Sequence, residues 1–200
     1  MSSTLKKSYK DNTMANTMTT YAKIVNLNEE TFGKVKEIFE TEGENSSEVN
    51  VVNHLNKLFG AEFNDTDNYM DREWMNENIG SKWIKIEFDD VEYTPEVDLV
   101  IETAWNIPTE YIQKVVEVLN EIDKNIVAYG TYEDEGYSPV GAFVYGYDYD
   151  DIEDYDEVDS DRVWEDDDYM EEMYDGLYEL RDSLYENYLE VIEERKLEEQ

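Results

Sequence analysis

Alternation with period two and recurrence with period 3.6 divide the chain into short strands and helices before any chemistry is considered. Tyr21, Lys23 and Val25 alternate with Ala22, Ile24 and Asn26, which predicts a strand. Phe32, Val35, Lys36 and Phe39 then recur at helical spacing behind Asn28, a residue suited to cap a helix. Val52, Leu55, Leu58 and Phe59 predict a second short helix, and the polar run over residues 60–73 predicts a loop. Trp83, Lys85 and Glu87 alternate with Ile84, Ile86 and Phe88 up to Asp89 and Asp90, a strand running into a turn whose hairpin partner lies in 97–105. Pro108 opens a helix carrying Tyr111, Ile112, Val115, Val116, Val118 and Leu119. Residues 126–132 and 140–147 are strands around a Glu-Asp-Glu-Gly-Tyr-Ser-Pro turn. This order predicts an α+β fold, a ferredoxin-like antiparallel plait over residues 20–147 with helices on one face and one added strand.

The flanks differ from this centre. Residues 1–19 are rich in Ser, Thr, Asn and Lys and predict a disordered tail, in which Met14 and Met18 are alternative starts. Residues 148–162 are dominated by Asp and Glu and predict an extended acidic linker. From 163 to 200 the pattern is helical, interrupted only by Gly176. Met170, Met173, Leu177, Leu180, Leu184 and Val191 make a heptad seam broken at Asn187, with Tyr174, Tyr178, Tyr185, Leu189 and Ile192 as a second stripe. Such a helix must bury these stripes against the plait, a partner or, as a homodimer, a copy of itself.

Charge changes the picture most. The 200 residues carry 52 Asp and Glu against 16 Lys and Arg, a formal net charge of −36. Residues 148–200 alone hold 24 acidic and 4 basic residues, so about a quarter of the chain carries more than half of the net charge. Direct binding to nucleic acid or to an anionic membrane is disfavoured, and a cationic partner is favoured. With 14% aromatic and 40% hydrophobic residues the chain has material for a real core. No apolar run approaches a membrane span, which predicts a cytoplasmic protein.

Specific catalytic signals are missing. The absence of Cys excludes thiolate chemistry and Cys-ligated metals, and no glycine-rich phosphate loop or nucleophile elbow is present. His54, the single histidine, is expected on the surface of a short helix or half buried. The runs from Asp65 and Asp148 lack the glycine and spaced ligands of a calcium loop. Among 52 carboxylates any acid–base pair arises by chance, so the reading is of a non-enzyme without cofactor or bound metal. Tyr129, Tyr132, Phe143, Tyr145 and Tyr147 could stack bases, but acidic neighbours such as Glu133, Asp134, Glu135 and Asp148 would repel the phosphates.

Trp74-x-x-x-Asn78-x-Gly80-Ser81-Lys82-Trp83, Glu102-Thr103-Ala104-Trp105-Asn106-x-Pro108, Tyr132-x-Asp134-Glu135-Gly136 and Gly141-x-x-x-Tyr145-Gly146 together resemble the API92-like ferredoxin-like family of phage and mobile-element proteins. The resemblance covers about residues 74–147. It implies a plait and a phage or mobile-element setting, and it brings no catalytic residues. Ile84 stands where the family usually has an acidic residue after Lys-Trp. For the matching residues, Gly80 and Gly136 are expected at positive φ, and Trp83 and Trp105 in the core.

Carboxylates four apart on a helix lie about 6 Å apart along its axis, comparable with successive phosphates on a strand. The candidate partner-binding residues are Asp148, Asp150, Asp151, Asp154 and Asp156 in the linker, then Glu165, Asp166, Asp167, Asp168, Glu171, Glu172, Asp175, Glu179, Asp182 and Glu186. The ladder continues through Glu190, Glu193 and Glu194. The expectation is a phage-encoded acidic nucleic-acid mimic that blocks the basic surface of a host defence protein in the host cytoplasm, as in anti-CRISPR or anti-restriction activity. The alternative is an assembly protein whose terminal helix mediates oligomerisation or partner docking.

Overall fold

The computed structural model describes residues 16–39, 47–63, 72–88, 92–155 and 158–198. Six strands form one antiparallel sheet in the order β2-β3-β1-β4-β5-β6, with β1 (Thr17–Val25), β2 (Ile84–Phe88), β3 (Glu96–Ala104), β4 (Val127–Asp134), β5 (Val140–Gly146) and β6 (Tyr149–Asp154). The helices are α1 (Glu29–Ile38), α2 (Val51–Phe59), α3 (Arg72–Asn78), α4 (Thr109–Asn120), α5 (Ser160–Val163) and α6 (Asp167–Glu198). Asn28 caps α1 as its sequence position suggests: its side chain accepts from the amides of Glu30 and Thr31, and the Asn28 amide in turn donates to the Thr31 hydroxyl oxygen.

The sheet is covered unequally, and the sequence of each strand follows the cover. In β2 and β3, and through most of β1, burial alternates residue by residue: one face meets the helices, the other meets water. Ile24, Ile86, Leu99 and Ile101 thus join Phe32, Val35, Leu55, Ile112, Val115 and Leu119 in the main core. In β5 every residue from Val140 to Tyr145 is buried, because the strand is covered on both faces. Phe143 and Tyr145 enter the main core; Ala142 and Val144 enter a second core with Val25, Val127, Leu184 and Tyr188.

That second core is made by α6. Met173, Leu177, Leu184 and Tyr188 are buried, while Tyr129 stacks on Tyr185 at 4.4 Å and Tyr149 meets Tyr188 edge-on at 5.3 Å. Tyr188 therefore takes the seam position that the heptad reading interrupted at Asn187, which is exposed. Gly176 does not break the helix; the ring of Tyr155 lies against it, and a side chain there would meet the Tyr155 hydroxyl.

Several expectations are corrected. Of the residues placed in a linker, Tyr149–Asp154 form β6 and Ser160 opens α5, because pairing with β5 engages the inward main-chain groups of β6 while most of its side chains stay in water; residues 156–157 lie outside the described residues. Thr17–Thr19 belong to β1 instead of a tail, and Met18 is buried; residues 1–15 lie outside the described residues. The end of the 60–73 loop is the start of α3, and residues 64–71 lie outside the described residues. Gly80 has φ +78°, but at the other turn it is Tyr137, not Gly136, that has positive φ. Trp83 and Trp105 lie at the surface, Trp105 being 43% exposed with the Lys82 ammonium 3.1 Å above its ring.

His54 is neither on the surface nor half buried; it is 1% exposed. The Ile38 carbonyl can only accept, so Nδ1–H donates to it at 2.7 Å, and Nε2 accepts from the Tyr111 hydroxyl at 2.8 Å. Phe39 stacks on the ring at 4.9 Å. Burial pushes the imidazole pKa down to about 4. The unfolded chain, with a His pKa near ~6.5, takes up the proton first, so this contribution to stability is full above that value. It is lost as pH falls toward 4 and amounts to roughly 3 kcal/mol for this shift. Urea unfolding of wild type and His54→Gln between pH 7 and 4 should give a steeper pH dependence for the wild type, since carboxylate protonation is common to both. Parallel curves would mean that the folded imidazole takes up its proton over the same pH range as the unfolded one, and burial would not have lowered its pKa.

Candidate functional site

The acidic surface is a helix face together with the neighbouring sheet edge. Packing on β4 and β5 fixes the rotation of α6 about its axis, because Met173, Leu177, Leu184 and Tyr188 must all face the sheet. Glu171, Glu172, Asp175, Glu179, Asp182 and Glu186 are consequently exposed, and the band continues through Glu190, Glu193 and Glu194. The 32 residues of α6 span about 48 Å at ~1.5 Å per residue.

Two further contacts hold the helix in place. The Tyr174 hydroxyl donates to Glu133 Oε2 on β4 at 2.9 Å, and burial together with this carboxylate pushes the Tyr174 pKa up. Near the other end, Arg195 donates to the main-chain oxygens of Tyr147 and Asp148 at 3.4 and 3.2 Å, clamping the β5–β6 turn, where Asp148 has φ +56°.

The arginines in this region have partners within the chain. Arg162 pairs with Asp166 at 2.9 Å, Arg181 pairs with Asp182 at 2.7 Å and Arg195 serves the turn. Arg162 and Arg195 thus leave the outer row uncompensated, and Arg181 meets it at Asp182.

The candidate residues separate accordingly. Asp166 is a structural cap: Oδ1 accepts from the Tyr169 amide and Oδ2 from Arg162, which holds its carboxyl below the usual carboxylate range. Asp167 and Asp168 stand in the first turn of α6, where the helix dipole favours them, and Glu165 is exposed in the turn before it. Asp154 accepts a hydrogen bond from the Tyr132 hydroxyl, which reaches it from β4 past Gly141 of β5. Asp148 is in the β5–β6 turn, and Asp150 and Asp151 are on β6; Asp156 lies outside the described residues. Thus the α6 carboxylates share one exposed face, and those of β6 lie on the outermost strand. Sequence reasoning missed Glu153, which belongs to the same edge. Its signal was the alternation of Tyr149, Asp151 and Glu153 with Asp150, Ile152 and Asp154 beside the continuous apolar run of β5.

Among the described residues no three Asp, Glu or His side chains gather to hold a metal ion, and no helix is long and apolar enough to cross a membrane. A cleft of about 700 Å³ lies between the end of α4 and the β5–β6 hairpin, lined by Glu117, Glu121, Lys124, Tyr147 and Asp150 among others. Lys124 rests over the Tyr147 ring at 4.1 Å and donates to its hydroxyl at 3.0 Å. No family model matches the chain, and neither does a curated protein or a solved structure.

Proposed function

We propose that this chain is a non-catalytic inhibitor that occupies the cationic DNA- or RNA-binding surface of a host defence protein, a CRISPR effector or a restriction enzyme, by presenting α6 in place of a phosphate backbone. The observation that carries the reading is the fixed rotation of α6. With Leu177, Leu184 and Tyr188 held against the sheet, Glu171, Glu172, Asp175, Glu179, Asp182, Glu186 and Glu190 face solvent in a set array. An acidity that served only solubility would need no such register. The assembly reading is weaker, because a homodimer built on the heptad seam would need the surface that β4 and β5 already cover.

The fold belongs to the same proposal. The strand order β2-β3-β1-β4, with helices between β1 and β2 and between β3 and β4, supports a ferredoxin-like plait to which β5 and β6 are added. The resemblance to API92-like proteins falls on α3 through β5 and supports a phage or mobile-element setting.

The test is filter binding of labelled DNA or RNA to purified effector complexes with increasing amounts of the full chain. Nucleic acid should be displaced at about 50 mM salt, with potency falling steeply by about 200 mM, as expected for association driven by opposite charge. If every candidate effector retains its nucleic acid against a molar excess at low salt, the reading fails.

A further inference from the structure

We infer that the outer edge of β6 is a docking site for an extended cationic polypeptide segment, which adds to the sheet as a seventh, antiparallel or parallel, strand. The inference goes beyond the helix-face reading because it depends on main-chain hydrogen bonds as well as charge.

The two edges of the sheet are treated differently. At β2 the chain closes its own edge: Val49 donates to Ile86 O at 2.9 Å, Phe88 donates to Ser47 O at 2.7 Å, and Glu48 bridges Glu87. At β6 no described residue does this. The Tyr155 amide donates to Val140 O, so the pairs 155/140, 153/142, 151/144 and 149/146 exchange hydrogen bonds across the β5–β6 ladder. The intervening residues Asp150, Ile152 and Asp154 then turn their main-chain N–H and C=O groups away from β5. None of these main-chain groups has a protein partner among the described residues.

An open edge is a template for another strand, and its side chains select which one. In β6 they are Asp150, Asp151, Glu153 and Asp154 around a 43% exposed Ile152. A second copy is disfavoured, since pairing two such edges would set these carboxylates against their equivalents. A strand with Lys or Arg at alternate positions sets its cations on the face of Asp151 and Glu153, and its intervening apolar residues then cover Ile152 on the other face.

The probe is a seven-residue peptide alternating Lys and Val, titrated into the full chain with amide hydrogen exchange as the readout. Protection of the Asp150, Ile152 and Asp154 amides should rise at least tenfold at saturation. A peptide of the same sequence, N-methylated at the residues facing β6, should bind at least tenfold more weakly. Ile152→Pro, which removes an outward N–H without touching the β5 ladder, should abolish the protection at its neighbours. Equal affinity of the two peptides, protection confined to α6, or equal binding by an alternating Glu and Val peptide would each overturn the proposal. The peptide comparison stands even if the proline variant does not fold, and none of these readouts depends on whether an effector is inhibited.

Discussion

Replacing Glu171, Glu172, Asp175, Glu179, Asp182, Glu186 and Glu190 with glutamine or asparagine is expected to reduce competition with nucleic acid about 100-fold or more at low salt, while making the protein more stable. The first effect follows from steering: opposed fields raise association rates by roughly 10- to 1,000-fold, and these side chains form the exposed row that would generate the field. The second follows from helix electrostatics. Glu171 with Asp175, Asp175 with Glu179, Asp182 with Glu186, Glu186 with Glu190 and Glu190 with Glu194 are like charges at i and i+4, each costing about 0.2–0.5 kcal/mol. Relieving them should gain about 1–2.5 kcal/mol, against at most ~1 kcal/mol for the exposed Arg181–Asp182 pair. Thermal unfolding and filter binding on the same sample check both signs. Loss of activity with a lower unfolding temperature would point to damage of the fold, and undiminished potency with a folded helix would remove the basis of the mimic reading.

The same helix shows how far the amino-acid pattern reaches. Met173, Leu177 and Leu184 are legible as a buried seam from their spacing alone, and the exposed carboxylates follow as its complement. What they pack against is not contained in the periodicity of α6. It is contained in β5, where Val140–Tyr145 is apolar at every position, unlike Ile84–Phe88 with its alternating Lys85 and Glu87. A strand without a polar face needs cover on both sides, and α6 is the element that supplies the second. Reading the two patterns together, instead of one element at a time, would have placed the helix on the sheet.

Composition misled at β6. Four carboxylates in six residues look like a solvated linker, yet strand formation asks only that the backbone be paired and that the side chains have somewhere to go. At the edge both conditions hold, because Asp151 and Glu153 pair with Val144 and Ala142 through the main chain while their carboxylates stay wet. Asp166 shows the converse. It stands in an acidic run that suggests a binding row, but two positions of local geometry, the Tyr169 amide and the Arg162 guanidinium, make it a cap. His54 was misplaced for a related reason: hydrophobicity says little about a polar residue whose partners, Ile38 and Tyr111, come from other elements.

Gly130→Ala is expected to be the most destabilising single methyl addition in the sheet, by at least about 4 kcal/mol, which is the range reserved for severe backbone or core conflicts. Gly130 sits on β4 opposite Ala22 of β1 and Phe143 of β5, with strands on both sides. A Cβ there would fall on the carbonyl oxygen of Tyr21, 2.9 Å from its carbonyl carbon and 3.0 Å from Ala22 Cα. All three atoms are main chain in a neighbouring strand, so relief requires β1 and β4 to part, and β1 is the strand that joins β3 and β2 to the rest of the sheet. Gly146→Ala provides the comparison. Its Cβ would meet Tyr188 ring atoms from 2.5 Å, a side chain that can shift, so a cost nearer 1–3 kcal/mol is expected. Urea unfolding followed by far-ultraviolet circular dichroism should separate the two variants by at least about 1 kcal/mol, or find Gly130→Ala unfolded without denaturant. Equal midpoints would show that the β1–β4 ladder has slack, and the central pairing would then be a weaker determinant of the fold than the packing of α6.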